Sequence, residues 1–305
     1  MARPLSSPPP ARPGQPDWAL LGEDWPHSDH SAFWQIGGTC WHVQRMGHGP
    51  PALLLHGTGA ATHSWAGFMP LLAEQFDVIA VDLPGHGFSR PAPGFRPTLN
   101  NMAKAVGDLC DALEVSPHLL VGHSAGAAIA IRLAAHGQIS PDNIVSLNGA
   151  LRPFPGLLRH LAPSMAKTLT FGGVAANVFA SAAKDRGRVE RLLEQTGGAP
   201  DLHYVDNYQK LLVCSAHVSS TLSMMANWDL DGIERDLESL DMPVLFLAGS
   251  EDQAISPAEA PRLAGQTPQG EARRLKGLGH LAHEQDPAAV MAEIIDFLPS
   301  PPASP

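Results

Sequence analysis

The sequence is short of charge, of cysteine and of long apolar runs. Only 16% of its 305 residues are charged, with 20 Lys+Arg against 30 Asp+Glu, where about a quarter is usual. The resulting net charge of −10 leaves no basic footprint, which argues against a nucleic-acid binder and against electrostatic docking on anionic lipid. The three cysteines, Cys40, Cys110 and Cys214, are too far apart for a zinc ribbon or a disulfide framework and fit a reducing, cytoplasmic setting. No apolar run reaches the ~18 residues of a membrane span. The longest, Leu119 to Ala135, is interrupted by Gly122, His123, Ser124 and Arg132. Met1 to Pro16 holds six prolines and two arginines but no apolar core of a secretory signal. It reads as a disordered, polyproline-like tail, as does Leu298 to Pro305.

What is present is a 44% hydrophobic chain, ample for a sizeable core. Six short apolar runs stand between the tails: Pro51 to Gly57, Phe76 to Gly85, His118 to Gly126, Asn143 to Ala150, Met242 to Asp252 and Glu271 to His280. Runs of this length without polar alternation suit strands covered on both faces. The sixth is more polar and belongs nearer an edge. Helical spacing connects them at Ser64 to Gln75, Asn100 to Leu113, Ala125 to His136 and Ala288 to Phe297. Strand and helix in alternation predict a doubly wound, mostly parallel sheet. Ser31 to Met46 alternates around Gly37-Gly38 as a leading hairpin, which brings the expected strands to eight. Residues 151–240 break the rhythm, being rich in Ala, Leu, Met and Phe at helical spacing. They predict a helical cap over the carboxyl edge of the sheet, where open α/β sheets bind ligands. The expected organisation is a tail over 1–30, a core over 31–150 and 241–298, a cap over 151–240 and a tail over 299–305.

The informative motif is Gly122-His123-Ser124-Ala125-Gly126. A G-x-S-x-G pentapeptide arises by chance about 0.1 times per 300 residues at average composition, so the pattern alone is only suggestive. Its place between a strand run and a helical pattern is what a nucleophile elbow requires. A serine needs a base and the base an orienter, in the chain order Ser, Asp/Glu, His. Asp252, favoured over its neighbour Glu251, follows the fifth strand run, and His280 follows the sixth between glycine and an apolar step. An oxyanion would be met by the N–H of Ala125, the residue after the serine, and by that of Thr58, with Gly59 as the alternative, in His56-Gly57-Thr58-Gly59. His280-x-x-His283 has no third partner for a metal, so neither metal nor cofactor is expected. His123 reads as a packing and hydrogen-bonding residue. Phe171, Phe179, Met224, Met225 and Trp228 are the candidate substrate-lining residues of the cap.

On these motifs, with Asp82-Leu83-Pro84-Gly85-His86-Gly87, Glu284 and Pro287, the chain resembles the α/β-hydrolase fold superfamily over about residues 35 to 298. A closer likeness is carried by residues 56–65, by Leu147-Asn148-Gly149-Ala150, by residues 224–230 and by residues 277–284. There the chain is similar to the magnesium-chelatase accessory proteins of bacteriochlorophyll biosynthesis in photosynthetic bacteria. The resemblance implies an eight-stranded sheet with a helical cap and a link to tetrapyrrole metal insertion. The resulting expectation is a serine hydrolase acting on an ester or related acyl substrate, apolar and small. The alternatives are a non-catalytic accessory that binds a tetrapyrrole or chelatase subunits, and a C–C bond hydrolase. Ser124, where epoxide hydrolases and dehalogenases usually carry aspartate, argues against those two activities.

Overall fold

The computed structural model describes residues 3–152, 173–198 and 201–299. Eight strands form one sheet in the order β1-β2-β4-β3-β5-β6-β7-β8. They are β1 (Ser31–Ile36), β2 (Thr39–Met46), β3 (Pro51–Leu55), β4 (Asp77–Val81), β5 (Leu119–His123), β6 (Asn143–Leu147), β7 (Val244–Gly249) and β8 (Gly270–Leu275). Every pair from β4 through β8 is parallel, and the antiparallel pairs are β1 with β2 and β2 with β4. The expected hairpin turns at Gly37 and Gly38, both at positive φ (59° and 81°), as a two-residue turn matched to strand twist requires. The polar run Glu271 to His280 supplies β8, the edge strand, as its composition predicts.

The side-chain period of two splits each central strand between two cores. On β3, Leu53 and Leu55 join one cluster and Ala52 and Leu54 the other. The first cluster is closed by α3 (Leu99–Leu113) and α4 (Ala125–Ala135), the second by α2 (Phe68–Leu72) and a C-terminal helix, Pro287–Phe297. Their ends follow local rules. The Thr98 hydroxyl accepts the Asn101 N–H at 3.2 Å, and Asp286 accepts the Ala289 N–H at 2.9 Å. The helix expected over Ser64 to Gln75 is broken into a 3-10 turn, Thr62–Trp65, and α2. Gly67 sits at that break, where helix propensity is weak, and Pro70 falls in the first turn of α2, where proline is tolerated.

The stretch expected as a cap holds, among the described residues after β6, α5 (Val174–Ala182), α6 (Arg186–Glu194), α7 (Leu202–Leu212) and α8 (Ser215–Asn227). The next helix is α9 (Ile233–Ser239). Ile233 and Leu237 are buried in the same core cluster as α4.

The N-terminal segment is not a free tail over its described residues. Its backbone is tied down at three points: the Leu5 N–H donates to the Phe33 carbonyl at 2.7 Å, Arg90 donates to the Pro10 carbonyl at 2.6 Å, and the Ala216 N–H donates to the Gly14 carbonyl at 2.9 Å. A polyproline-like chain leaves its carbonyls unpaired internally and so free to accept such bonds. Two tryptophans then anchor it, one opening a short helix, α1 (Trp18–Leu21), and one after it. The Trp18 ring meets Phe33 and Phe88 edge-on at 5.3 and 4.9 Å. Trp25 is 2% exposed, and its indole N–H donates to Thr62 Oγ1 at 3.0 Å. Trp25→Ala is therefore expected to cost about 3–5 kcal/mol of stability, read by urea unfolding. A loss below about 1 kcal/mol would mean the anchor contributes little beyond surface contact.

Candidate active site

The strand order places the site. Chain succession runs from β3 to β4 on one side and then crosses to β5 on the other. Such a reversal, at the carboxyl ends of β3 and β5, is where open α/β sheets bind their ligands. His56 to Gly59 leave β3 there, and Ser124 leaves β5.

Ser124 sits at φ +53°, ψ −116°, a strained conformation for a residue with a Cβ. The glycines beside it are steric necessities. A Cβ on Gly122 would fall 2.5 Å from the backbone of Ala127, and one on Gly126 would strike the Leu55 carbonyl. The Ser124 N–H is held by the Leu147 carbonyl at 3.0 Å. Ala125 opens α4, so its N–H lies among the helix-start donors that have no intrahelical acceptor. The β3 loop passes close by. A Cβ on Gly57 would be 3.0 Å from Ser124 Cβ and 2.9 Å from His123 Nδ1, which brings Thr58 next to the serine.

Asp252 and His280 come together from the loops after β7 and β8. His280 Nδ1 lies 2.9 Å from Asp252 Oδ2, while the N–H groups of Ala254 and Ile255 each donate to Asp252 Oδ1 at 2.8 Å. His280 is brought beside the elbow by His123, whose Nε2 is 2.9 Å from the His280 carbonyl and whose ring centroid is 4.8 Å from that of His280. Glu251 faces away, with Ser250 Oγ on its carboxylate at 3.0 Å.

The sequence motifs around the serine hold this edge rigid. His56 Nε2 accepts the Leu83 N–H at 2.9 Å and Nδ1 meets the Gly57 carbonyl at 2.7 Å, which fixes the tautomer. Asp82 Oδ1 accepts the Thr62 N–H at 2.7 Å, and Oδ2 takes His42 Nδ1 and the Phe88 N–H, each at 2.8 Å. Burial alone would raise the Asp82 carboxyl, but His42 and these N–H donors bring it well below the usual carboxylate range. Burial also lowers His56, His86 and His123, takes His217 down to about 4, and takes His63 and His283 down to about 3. Burial thus favours the neutral form of these six histidines.

The cap reaches the site at two points. Over the β3 loop, Thr58 Oγ1 is 3.8 Å from Met224 Sδ, and His217 Nε2 meets the Gly59 carbonyl at 3.1 Å. At the far side, the Thr196 carbonyl accepts the N–H groups of both Gln253 and His280, at 3.2 and 3.1 Å. One cap carbonyl thereby stitches the loop of Asp252 to that of His280. Among the cap candidates, Met224 is buried against the β3 loop, whereas Met225 and Phe179 are about half exposed. A step of one residue turns an α-helix by about 100°, so Met224 and Met225 cannot face the same way. Trp228 packs against the main core, and Phe171 lies outside the described residues. Of the described candidates, Met224 is the one in contact with the β3 loop beside Ser124. Sequence marks neither Thr196 nor a role for Asn148. A carbonyl-donating turn has no sequence signature, and Asn148 is marked only as a polar residue ending a buried strand.

Behind His280, Glu284 is buried with hydrogen bonds from Ser64 Oγ and, at 2.9 Å, from the Tyr208 hydroxyl of α7. His283 Nε2 is 2.9 Å from the same Ser64 oxygen. His283 is thus committed to a protein partner, and no group of three metal-ligating side chains occurs among the described residues. Burial pushes Glu284 from its ordinary 4.5 up to about 8, against the downward pull of Ser64 and Tyr208. The folded state therefore binds a proton that the unfolded state releases between those two values, and stability falls as pH rises through that window. Glu284→Gln should remove a slope of at most about 1.4 kcal/mol per pH unit. Urea unfolding at pH 5 and pH 8.5 should show the variant gaining on the wild type at the higher pH. A difference that does not change with pH would contradict an uncharged Glu284.

Residues 50–287 match the family model described as alpha/beta hydrolase fold. The Magnesium-chelatase 30 kDa subunit of Rhodobacter capsulatus is 35% identical over 92% of this chain and 99% of its own length. A Bacillus subtilis protein named Uncharacterized hydrolase YugF is 24% identical over 84% of this chain and 92% of its own. An alpha/beta hydrolase fold protein from Burkholderia ambifaria superposes with a TM-score of 0.74 at 23% identity, covering 87% of this chain and 96% of that one; this likeness concerns the fold alone. Fold, elbow and sequence relatives agree: the chain belongs to the α/β-hydrolase fold family and is a homologue of the Rhodobacter magnesium-chelatase 30 kDa subunit.

Proposed function

We propose that the protein is a serine hydrolase that cleaves an ester or related acyl substrate. The observation that carries this reading is the 2.9 Å His280–Asp252 hydrogen bond, on the sheet edge that also presents the strained Ser124. Ser124 Oγ attacks the acyl carbon while His280 Nε2 takes its proton. His280 returns that proton to the leaving group, and Asp252 holds the tautomer that makes Nε2 the acceptor. The N–H groups of Thr58 and Ala125 receive the oxyanion, a contribution of about 3–4 kcal/mol per donor in comparable sites. Water then repeats the attack on the acyl-enzyme and releases the acid. This route uses neither metal nor cofactor.

The fully buried histidines around the elbow, whose neutral form burial favours, support an uncharged, apolar small molecule as substrate. So does α8, whose sequence carries no Asp, Glu, Lys or Arg. Homology to a protein named as a magnesium-chelatase subunit supports an accessory role in magnesium chelation for bacteriochlorophyll synthesis, with a tetrapyrrole or chelatase subunits as partners. No helix among the described residues is long and apolar enough to cross a membrane, and Cys40, Cys110 and Cys214 are unbridged; both fit a cytoplasmic location. The name of that relative also favours a second reading, in which the fold binds a tetrapyrrole or a chelatase subunit without catalysis. Turnover of a panel of short acyl esters and absorbance titration with a porphyrin separate the two. Ester turnover lost in His280→Ala supports the hydrolase. Porphyrin binding unaffected by His280→Ala, with no ester turned over, supports the binding module.

A further inference from the structure

Asn148 directly follows β6, between the strands that lead to Ser124 and Asp252. Its backbone stands at φ +48°, a left-handed conformation that asparagine tolerates better than most residues. Its own N–H donates to the Leu247 carbonyl of β7 at 2.8 Å, so the residue is fixed to the strand that carries Asp252. Its side chain is buried and makes two hydrogen bonds through Nδ2, at 2.7 Å to Asp252 Oδ2 and at 3.3 Å to the Gly279 carbonyl. Asp252 Oδ2 is the oxygen that meets His280 Nδ1, and Gly279 is the residue before His280. One carboxamide therefore grips both the oxygen that orients the base and the backbone that carries the base.

The division of labour on the carboxylate makes this grip consequential. Oδ1 is held by two backbone N–H groups of its own loop. Oδ2, the oxygen facing His280, has side-chain partners only. Bonds to an ionised oxygen are the stronger kind, and a second donor at a fixed position removes the freedom of Oδ2 to turn away from the ring. Across His280 from the Asn148–Asp252 pair lies the ring of His123.

We propose that Asn148 is a positioning residue, whose carboxamide orients Asp252 so that Oδ2 stays aimed at His280 Nδ1 and on which the activation of Ser124 depends. The proposal rests on the serine-hydrolase reading above for its effect on Ser124, but the Asn148–Asp252–His280 arrangement can be read without it.

Two variants test it. Asn148→Gly accepts the backbone angle and deletes the amide. Asn148→Asp keeps the shape and puts an acceptor where the donor was. Folding is checked by circular dichroism and thermal unfolding. Two readouts follow: the rate of labelling by a fluorophosphonate probe, and the downfield proton NMR signal of His280 Nδ1–H, assigned by its loss in His280→Ala. Both variants should label about 10- to 100-fold more slowly, the size expected for a lost bond to a charged group. Their proton signal should shift or vanish. A residue that merely fills space would leave that signal in place in a folded variant. Wild-type labelling and an unmoved signal in either folded variant overturn the proposal. Wild-type protein that does not label would defeat the hydrolase reading alone, and the proton signal then still decides for or against Asn148.

Discussion

Ser124→Ala should lower ester hydrolysis by roughly 10⁴-fold or more while leaving the fold intact. Removal of a nucleophile that acts as one unit with its base leaves only the background that binding and the oxyanion donors supply. The substitution deletes a hydroxyl and no packed carbon. Alanine inherits the strained backbone of φ +53°, which Gly122 and Gly126 make sterically possible, so the melting temperature should change by no more than a few degrees. Steady-state turnover of a short acyl ester measures the effect. Residual turnover above a tenth of wild type, at equal purity, would remove Ser124 from the role of nucleophile.

Asp252→Asn should be nearly as damaging, roughly 10⁴-fold in kcat, and for a reason specific to this hydrogen-bond pattern. Asparagine Oδ1 can keep the Ala254 and Ile255 N–H bonds, which orients the amide nitrogen into the place of Oδ2. That nitrogen then confronts two donors, His280 Nδ1–H and Asn148 Nδ2. The ring relieves one conflict by moving its proton from Nδ1 to Nε2, and Nε2 can no longer accept the Ser124 proton. The variant should fold, bind substrate with nearly unchanged KM and turn it over slowly. Near-wild-type kcat would show that Asp252 does not set the tautomer of His280.

Much of this site can be read from the chain because its groups sit at strand ends, where the sequence leaves marks. Glycine brackets Ser124 for steric reasons now visible at Leu55 and Ala127. Asp252 follows an apolar run that reads as a central strand, and His280 a more polar one that reads as an edge strand. The sheet, its hairpin and the polar edge strand follow from the same patterns. What sequence could not resolve is orientation. Met224 and Met225 are identical in type and one residue apart, and only the helix phase separates the one over Thr58 from the one in solvent. Trp18 and Trp25 stand in a proline-rich stretch whose composition suggests disorder, yet their rings find Phe33, Phe88 and Thr62 through contacts distant in sequence. Thr196 acts through its carbonyl, an atom every residue has, so no residue type could have announced it.

The claim that this edge of the sheet holds an activated serine is tested most directly by fluorophosphonate labelling of the full-length protein, wild type beside Ser124→Ala. Covalent labelling of the wild type and none of the variant is the predicted result. Absence of labelling in folded wild-type protein, or equal labelling of both, would contradict it.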